Sequence, residues 1–109
     1  MYQNLAMKTA SDVSTACDEN LLLQGVMGMC GEAGEAIDIV KKHLFQGHPL
    51  DKEHLAKEFG DVAWYLATAA KAIGYDLNDI FRMNIDKLAL RYGDRFKSEN
   101  SQHRKAGDV

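Results

Sequence analysis

Apolar residues recur along most of this chain at the three- and four-residue spacing that is typical of amphipathic α-helices. A short segment, residues 1 to about 10, comes first and is followed by a polar connection from Ser11 to Asp18. Longer segments run from Leu21 to Gln46, from about 52 to 73 and from about 77 to 91. The pattern therefore predicts an all-α protein, a small antiparallel bundle of about four helices.

Capping residues mark where these helices are expected to begin and end. The N-cap candidates of the three longer helices are Asp18 or Asn20, then Asp51, then Asp76. Gly47 and Pro49 end the second helix, and Gly74 ends the third. One side of each long helix is apolar and is expected to form the core. These stripes are Leu22, Val26, Met29, Ala33, Val40 and Leu44; Leu55, Phe59, Val62, Leu66 and Ile73; and Leu77, Ile80, Phe81, Ile85 and Leu88.

Composition adds that the chain is an ordinary globular protein, with 46% hydrophobic and 27% charged residues and a net charge of −3. Because lysine and arginine form no long block, nucleic acid and anionic membranes are not expected as partners. No signal peptide and no membrane-spanning apolar run is evident, so we predict a cytoplasmic protein. Cys17 and Cys30 lack a metal-ligand spacing, which predicts free thiols, with Cys30 buried, in a reducing compartment. We predict a single domain over residues 1–97 and a mobile tail over 98–109.

Two pairs of acidic residues are each spaced three apart within a predicted helix: Glu32 with Glu35, and Glu58 with Asp61. Side chains at this spacing share one helix face, so two such helices packed together would gather four carboxylates in one cleft. Crowded carboxylates need cations, protons or bulk water. Oxygen ligands suit Mg²⁺ or Mn²⁺ better than zinc. The spacing therefore favours a metal site over the alternative, a solvated acidic surface.

Glycine recurs every third residue beside the first acidic pair, at positions 25, 28, 31 and 34. Each glycine in a helix costs about 0.5–1 kcal/mol relative to alanine. Close helix packing, room for a phosphate or metal cluster, and a partly non-helical segment are all compatible with this pattern.

Further candidates for contacts with a substrate are Lys42, Tyr65, Asn84, Lys87 and Arg91. Lys42 is near the face of Glu35, and the last three share one edge of the fourth helix; cations and an amide suit a polyphosphate. Tyr65 follows the acidic stripe and can contact a base, whereas Trp64 is expected to point away, into packing or a subunit interface. His54, one turn before the second acidic pair, is the histidine nearest to this chemistry.

Three stretches, in this order, resemble the MazG-like nucleoside triphosphate pyrophosphohydrolases: Gly31–Lys42, Lys57–Tyr65 and Asn84–Tyr92. The similarity covers roughly residues 21–96. It rests on the paired pattern ExxE and ExxD together with the flanking Gly-Glu and Asn-x-x-Lys elements, since ExxE alone is unspecific. The chain has one such unit and so resembles the short, single-domain branch.

The resemblance implies that Glu32, Glu35, Glu58 and Asp61 are catalytic and bind Mg²⁺, for which Mn²⁺ can substitute. It also implies an obligate homo-oligomer, a dimer or a tetramer, that hydrolyses a (d)NTP to the (d)NMP and pyrophosphate, a reaction that suits nucleotide-pool house-cleaning. Two alternatives stay open. One is a non-enzymatic helical interaction module. The other is a di-metal carboxylate bundle of other chemistry, which would need Glu-x-x-His, and the nearest match is Asp51 with His54.

Overall fold

The computed structural model of the chain describes residues 1–92, apart from the Ser14 side chain, and its regular secondary structure in that range is all helical, without a strand. The helices are α1 (Tyr2–Met7), α2 (Asp12–Thr15), α3 (Asp18–Gln46), α4 (Lys52–Ala72) and α5 (Leu77–Tyr92). The all-α prediction is confirmed, and the polar connection before the first long helix contains the single turn α2. None of these described helices is long and apolar enough to cross a lipid bilayer. The predicted tail, 98–109, lies outside the described residues.

The chain divides into two units, Met1–Tyr75 and a second one that begins at Asp76. Helices α1 to α4 belong to the first unit and α5 belongs to the second. A single domain over residues 1–97 stays a prediction.

Helices α3 and α4 pack against each other in opposite directions. Gly25, early in α3, lies against Ala69, late in α4, and Gly28 lies against Tyr65 one turn further along. A Cβ atom on Gly25 would come within 2.6 Å of the Ala69 backbone nitrogen, and one on Gly28 within 2.1 Å of the Tyr65 ring. Only glycine permits this approach, so close helix packing explains these two positions.

The other two glycines of the repeat, Gly31 and Gly34, have open space where a Cβ would lie. The whole stretch is helical, so the alternative of a partly non-helical segment is wrong.

The ends of α4 and the end of α3 follow the predicted signals. Gly47 ends α3 in the left-handed region with φ of 72°. The Asp51 side chain then accepts a hydrogen bond of 3.0 Å from the His54 backbone N–H and so caps α4. Gly74, just after α4, has φ of 80°. The Asp76 side chain accepts a hydrogen bond of 2.9 Å from the Asn78 backbone N–H at the start of α5.

The predicted start of α3 is wrong. The helix begins at Asp18 with Cys17 as its N-cap residue, and no side-chain hydrogen bond caps it. The Asn20 side chain, a predicted cap, instead donates a 3.0 Å hydrogen bond to the Val13 carbonyl. A tertiary contact to the preceding turn α2 therefore takes the amide that local sequence assigns to the cap.

The interior of the first unit is narrow and consists mainly of small side chains. Its buried apolar residues are Ala6, Leu21, Ala67, Ala69 and Ala70, and Thr68 is fully buried among them. The predicted core stripes are wrong at several large residues that are exposed: Leu22, Val26, Leu44, Phe59, Ile73, Phe81, Ile85 and Leu88. For Leu22, Val26 and Ile73, which are near the glycine contact in sequence, the physical reason is that helices which approach so closely leave no room for large side chains between them.

Cys30 is also exposed, contrary to the prediction, and both cysteines are free thiols. Cys30 lies two residues, about 200° around the helix, from Gly28, which faces α4, and so it projects from the opposite side.

Candidate metal centre

Three carboxylates meet where the middle of α3 faces the middle of α4. One oxygen from each of Glu32, Glu58 and Asp61 lies within 4.8 Å of the other two. Glu58 and Asp61 are one turn apart on α4. Gly28 of α3 contacts α4, and Glu32 follows Gly28 by one helical turn, so Glu32 also faces α4. We call these three residues the acidic cluster. Glu58 is 7% exposed, which is unusual for a carboxylate.

Two oxygens of the acidic cluster lack hydrogen-bond partners among residues 1–92. These are Oε2 of Glu32 and Oε2 of Glu58, and both atoms are buried. A buried carboxylate oxygen without a partner is unfavourable unless a cation or a proton compensates it. Three hard oxygen donors that lie within 4.8 Å of one another are of the kind that Mg²⁺ or Mn²⁺ prefers. The residues present therefore fit a divalent cation.

The protonation of Glu32 and Glu58 shows the cost of this crowding. The pKa of Glu32 is raised to about 7, first because its protonated form donates a hydrogen bond to Glu58, and then by burial and by the neighbouring negative charges. The pKa of Glu58 is lowered, mainly because its carboxylate accepts that same hydrogen bond. In the metal-free protein near neutral pH, a proton shared by the pair does part of what a cation would do.

Glu35, the fourth predicted ligand, lies beside the acidic cluster and is not one of its three members. It is exposed, yet it is near enough that its protonated form can donate a hydrogen bond to Glu58, which further lowers the pKa of Glu58. Its negative charge also contributes to the raised pKa of Glu32.

The acidic cluster borders two open grooves. The first, which we call the aromatic groove, has a volume of about 350 Å³ and is lined by Glu32, Asp61, Trp64 and Tyr65. The second, which we call the lysine groove, has a volume of about 430 Å³. Its lining is Gly31, Gly34, Glu35, Asp38, Ile39, Lys42, His54 and Glu58. The predicted residues Tyr65 and Lys42 thus lie on different sides of the acidic cluster.

Lys42, which lines the lysine groove, forms an ion pair with Asp38. Its Nζ atom lies 3.0 Å from Oδ2 of Asp38, one turn earlier on α3. This contact, with a second one from Lys41 at 3.5 Å, holds the pKa of Asp38 below its ordinary value. Sequence reasoning missed Asp38, although its four-residue spacing from Lys42 is the signal for such a pair.

Trp64 borders the acidic cluster, so the prediction that it points away was wrong. Its ring meets the Tyr65 ring edge to face, with centroids 5.0 Å apart and planes at 89°. The signal was available, because Trp64 follows Asp61 by three residues and so falls on a neighbouring part of the same helix face.

His54 contacts the acidic cluster from one turn earlier on α4, with Nε2 3.3 Å from Oε1 of Glu58. The Asp51 carboxylate is engaged as the helix cap. Helix capping therefore explains the pair of Asp51 and His54, which weakens the alternative of a di-metal carboxylate bundle of other chemistry.

The remaining predicted residues, Asn84, Lys87 and Arg91, all lie on α5, in the second unit. The Arg91 guanidinium carbon is 5.6 Å from the centroid of the Tyr92 ring. That these three side chains bind a nucleotide stays a prediction.

Comparison with known proteins agrees with the resemblance in the sequence. The MazG nucleotide pyrophosphohydrolase domain matches residues 22–96, most of the chain. The Gene 37 protein of Mycobacterium phage L5 is 36% identical over 69 residues, and the aligned part is 60% of each chain. The present chain thus spans less than two thirds of that relative. No solved structure matches the present chain. On the family match, the chain belongs to the MazG nucleotide pyrophosphohydrolase domain family.

Proposed function

We propose that this protein is a Mg²⁺-dependent pyrophosphohydrolase that converts a nucleoside or deoxynucleoside triphosphate to the monophosphate and pyrophosphate. Family membership supports a nucleotide substrate. The observation that carries the proposal is the pair of buried, unpartnered oxygens of Glu32 and Glu58, with an Asp61 oxygen within 4.8 Å. Most buried polar atoms in proteins have a hydrogen-bond partner, so these two oxygens support a bound cation as their partner.

In this proposal Glu32, Glu58 and Asp61 hold the cation, and Glu35 stands next to Glu58 as a further ligand or as the proton acceptor. A bound divalent ion supplies charge neutralisation for the phosphates and an acidified water molecule. Attack at the α-phosphorus then releases pyrophosphate as the leaving group. His54 orients Glu58 by its contact with Oε1, which leaves Oε2 for the cation.

The two grooves suggest how a nucleotide is oriented. The aromatic groove offers Tyr65 to a planar base, as the sequence predicted. The lysine groove offers Lys42 to phosphate oxygens, in exchange for or in addition to its contact with Asp38. Asn84, Lys87 and Arg91 stay candidates for phosphate contacts, as the sequence predicted. We further propose that the enzyme acts as a cytoplasmic homodimer or homotetramer in nucleotide-pool house-cleaning, since both grooves beside the acidic cluster are open to solvent and a second subunit could close them.

A product analysis tests the proposal. The purified protein is incubated with each common NTP and dNTP and Mg²⁺ or Mn²⁺, and nucleotide products, pyrophosphate and phosphate are quantified. We expect NMP and pyrophosphate, complete loss of activity in excess chelator, and recovery when Mg²⁺ or Mn²⁺ is restored. NDP with free phosphate as the primary products would mean attack at the γ-phosphorus and a different reaction. Full activity in chelator would exclude the role given to the acidic cluster.

A further inference from the structure

Helix α1 and the turn that follows it are joined to Trp64 of the aromatic groove by two hydrogen bonds, and a third hydrogen bond links their two acceptors. The Trp64 indole N–H is shared between the Ala6 carbonyl at 3.0 Å and the Thr9 hydroxyl at 2.8 Å. The Thr9 hydroxyl in turn donates to the Ala6 carbonyl at 2.8 Å. An indole has only one N–H donor, so both of these acceptors draw on the same proton and restrict how the ring can turn.

Hydrogen bonds of Gln3 also hold the beginning of α1 against α4, the helix that carries Trp64. The buried Gln3 side chain donates to the Ala67 carbonyl at 3.2 Å and to the Tyr75 carbonyl at 3.0 Å. Side-chain hydrogen bonds to fixed carbonyls, and not only apolar packing, thus dock α1 on α4. The family match begins at residue 22. The segment that holds Trp64 in place therefore lies outside the part of the chain that the family accounts for.

Tyr65, the other ring of the aromatic groove, is fixed from the opposite side. It lies against Gly28 of α3, where a Cβ atom would overlap the ring. Two aromatic rings at 89° to each other are thereby held beside Glu32 and Asp61. A planar heterocycle can stack on the face of one ring while its edge meets the other.

We propose that α1 is part of the nucleotide site and that Trp64, held by Ala6 and Thr9, is the ring on which the base stacks. This inference rests on the proposed function and names the subsite for the base. Because the indole N–H is already engaged, the ring offers a base its face and no hydrogen bond. Stacking of this kind tolerates different bases, so the subsite should accept purines and pyrimidines with affinities within roughly ten-fold of each other.

Fluorescence gives a direct test, since Trp64 is the single tryptophan of the chain. The full chain with Mg²⁺ is titrated with the four common nucleoside monophosphates, which contain no anhydride to hydrolyse, and with inorganic tripolyphosphate, which has no base. We expect each monophosphate to quench the emission and tripolyphosphate to leave it nearly unchanged. Equal quenching by tripolyphosphate, or no quenching by any nucleotide, would overturn the proposal.

Thr9→Val tests the role of α1 and the turn after it with a nearly isosteric change, in which a methyl group replaces the hydroxyl. We expect Kd for the monophosphates and KM for the triphosphate to rise roughly five-fold, as for the loss of one hydrogen bond, with kcat changed less than two-fold. The matched control is Thr15→Val, because the Thr15 hydroxyl bonds only locally, to the Ser11 and Asp12 carbonyls. Identical constants for the two variants would show that α1 does not position Trp64.

Trp64→Ala and Trp64→Phe separate the ring from its N–H group. Loss of the ring should raise KM at least ten-fold, in the range of base stacking, whereas phenylalanine should restore part of that loss. Hydrolysis of nucleotides without any base-dependent change in emission would refute the subsite and leave the proposed reaction intact. Base-dependent quenching without hydrolysis of any triphosphate would refute the reaction and leave the subsite intact.

Discussion

Glu58 is the residue on which the candidate site depends, because it is the most buried member of the acidic cluster. One of its oxygens contacts His54, and the other has no partner within residues 1–92. Its charge also repels Asp61 and is offset, in the metal-free protein, by the proton that Glu32 retains up to a pKa of about 7. The acidic cluster is therefore under electrostatic strain that a cation would relieve.

Glu58→Gln separates a ligand role from a structural one. We expect the metal-free variant to keep or slightly raise its melting temperature, because one of several crowded charges is removed. We also expect nearly all turnover and most of the stabilisation by Mg²⁺ to disappear. Melting curves with and without Mg²⁺ and one hydrolysis assay measure both.

The control for this substitution is Glu53→Gln, one helical turn and one residue earlier on α4, where the carboxylate is highly exposed and pairs only with Lys57 at 3.5 Å. That variant should behave like the unmodified protein. A loss of about 3–5 kcal/mol in metal-free Glu58→Gln with activity retained is the behaviour of a broken buried ion pair. It would make Glu58 a structural residue.

At the scale of single residues, spacing along a helix predicted which side chains share a face and little more. It placed Glu32 opposite Glu58 and Asp61, because three-residue spacing and a helix pair suffice for that. The same spacing rule would have identified the ion pair of Asp38 with Lys42, but it could not show that Glu35 would stay exposed beside the acidic cluster or that one Glu58 oxygen would be buried without a partner among the described residues. Those outcomes depend on side-chain rotamers and on competing neighbours, which periodicity does not contain.

At the scale of helices, the contact between α3 and α4 predicts opposite effects on stability for alanine substitutions at two glycines of α3. Gly28→Ala should destabilise the protein by about 1–3 kcal/mol, since the new methyl group would overlap the Tyr65 ring. Gly34→Ala should instead stabilise it by about 0.5–1 kcal/mol, because its Cβ meets open space and alanine favours the helix. Urea unfolding of both variants measures the difference. Equal effects at the two positions would mean that the close contact at Gly28 does not exist in solution.

The element boundaries were predictable where the signal is local. Asp51 and Gly47 act within their own turns, so the sequence alone locates the connection between α3 and α4. The start of α3 was not predictable, because the Asn20 amide binds a carbonyl of another turn. The core stripes failed for a related reason: helical periodicity identifies an apolar face but not how close the neighbouring helix comes.

For the whole molecule, a groove on α3 leads us to expect self-association. It has a volume of about 580 Å³ and is lined in part by Ile37, Leu44 and Phe45, whose side chains are largely exposed. Contiguous exposed apolar surface on a protein is typical of a contact site. We therefore expect a dimeric or tetrameric mass by light scattering at micromolar concentration, and a shift toward the monomer in Phe45→Glu.

The control for that shift is Gln46→Glu, which adds the same charge to the adjacent, exposed position and should leave the mass unchanged. A monomeric mass for the unmodified protein at micromolar concentration would contradict the expectation of an oligomer. The apolar pattern predicted the helices α3 and α4 correctly but assigned Leu44 to an interior within one chain, because a sequence does not distinguish an apolar side chain that packs inside the chain from one that lies on its surface.

The contact between Gly25 and Ala69 bears on which ion the acidic cluster can select by size. Gly25 precedes Glu32 by seven residues, about 10 Å along the helix axis, so the distance between the helices at the glycine also governs the distance between the ligands that they carry. Mg²⁺ needs oxygens at about 2.0–2.1 Å, whereas Ca²⁺ takes them at about 2.3–2.6 Å. A residue that never touches the metal would thus set the ionic radius that the centre accepts, and a methyl group there would move that preference toward larger ions.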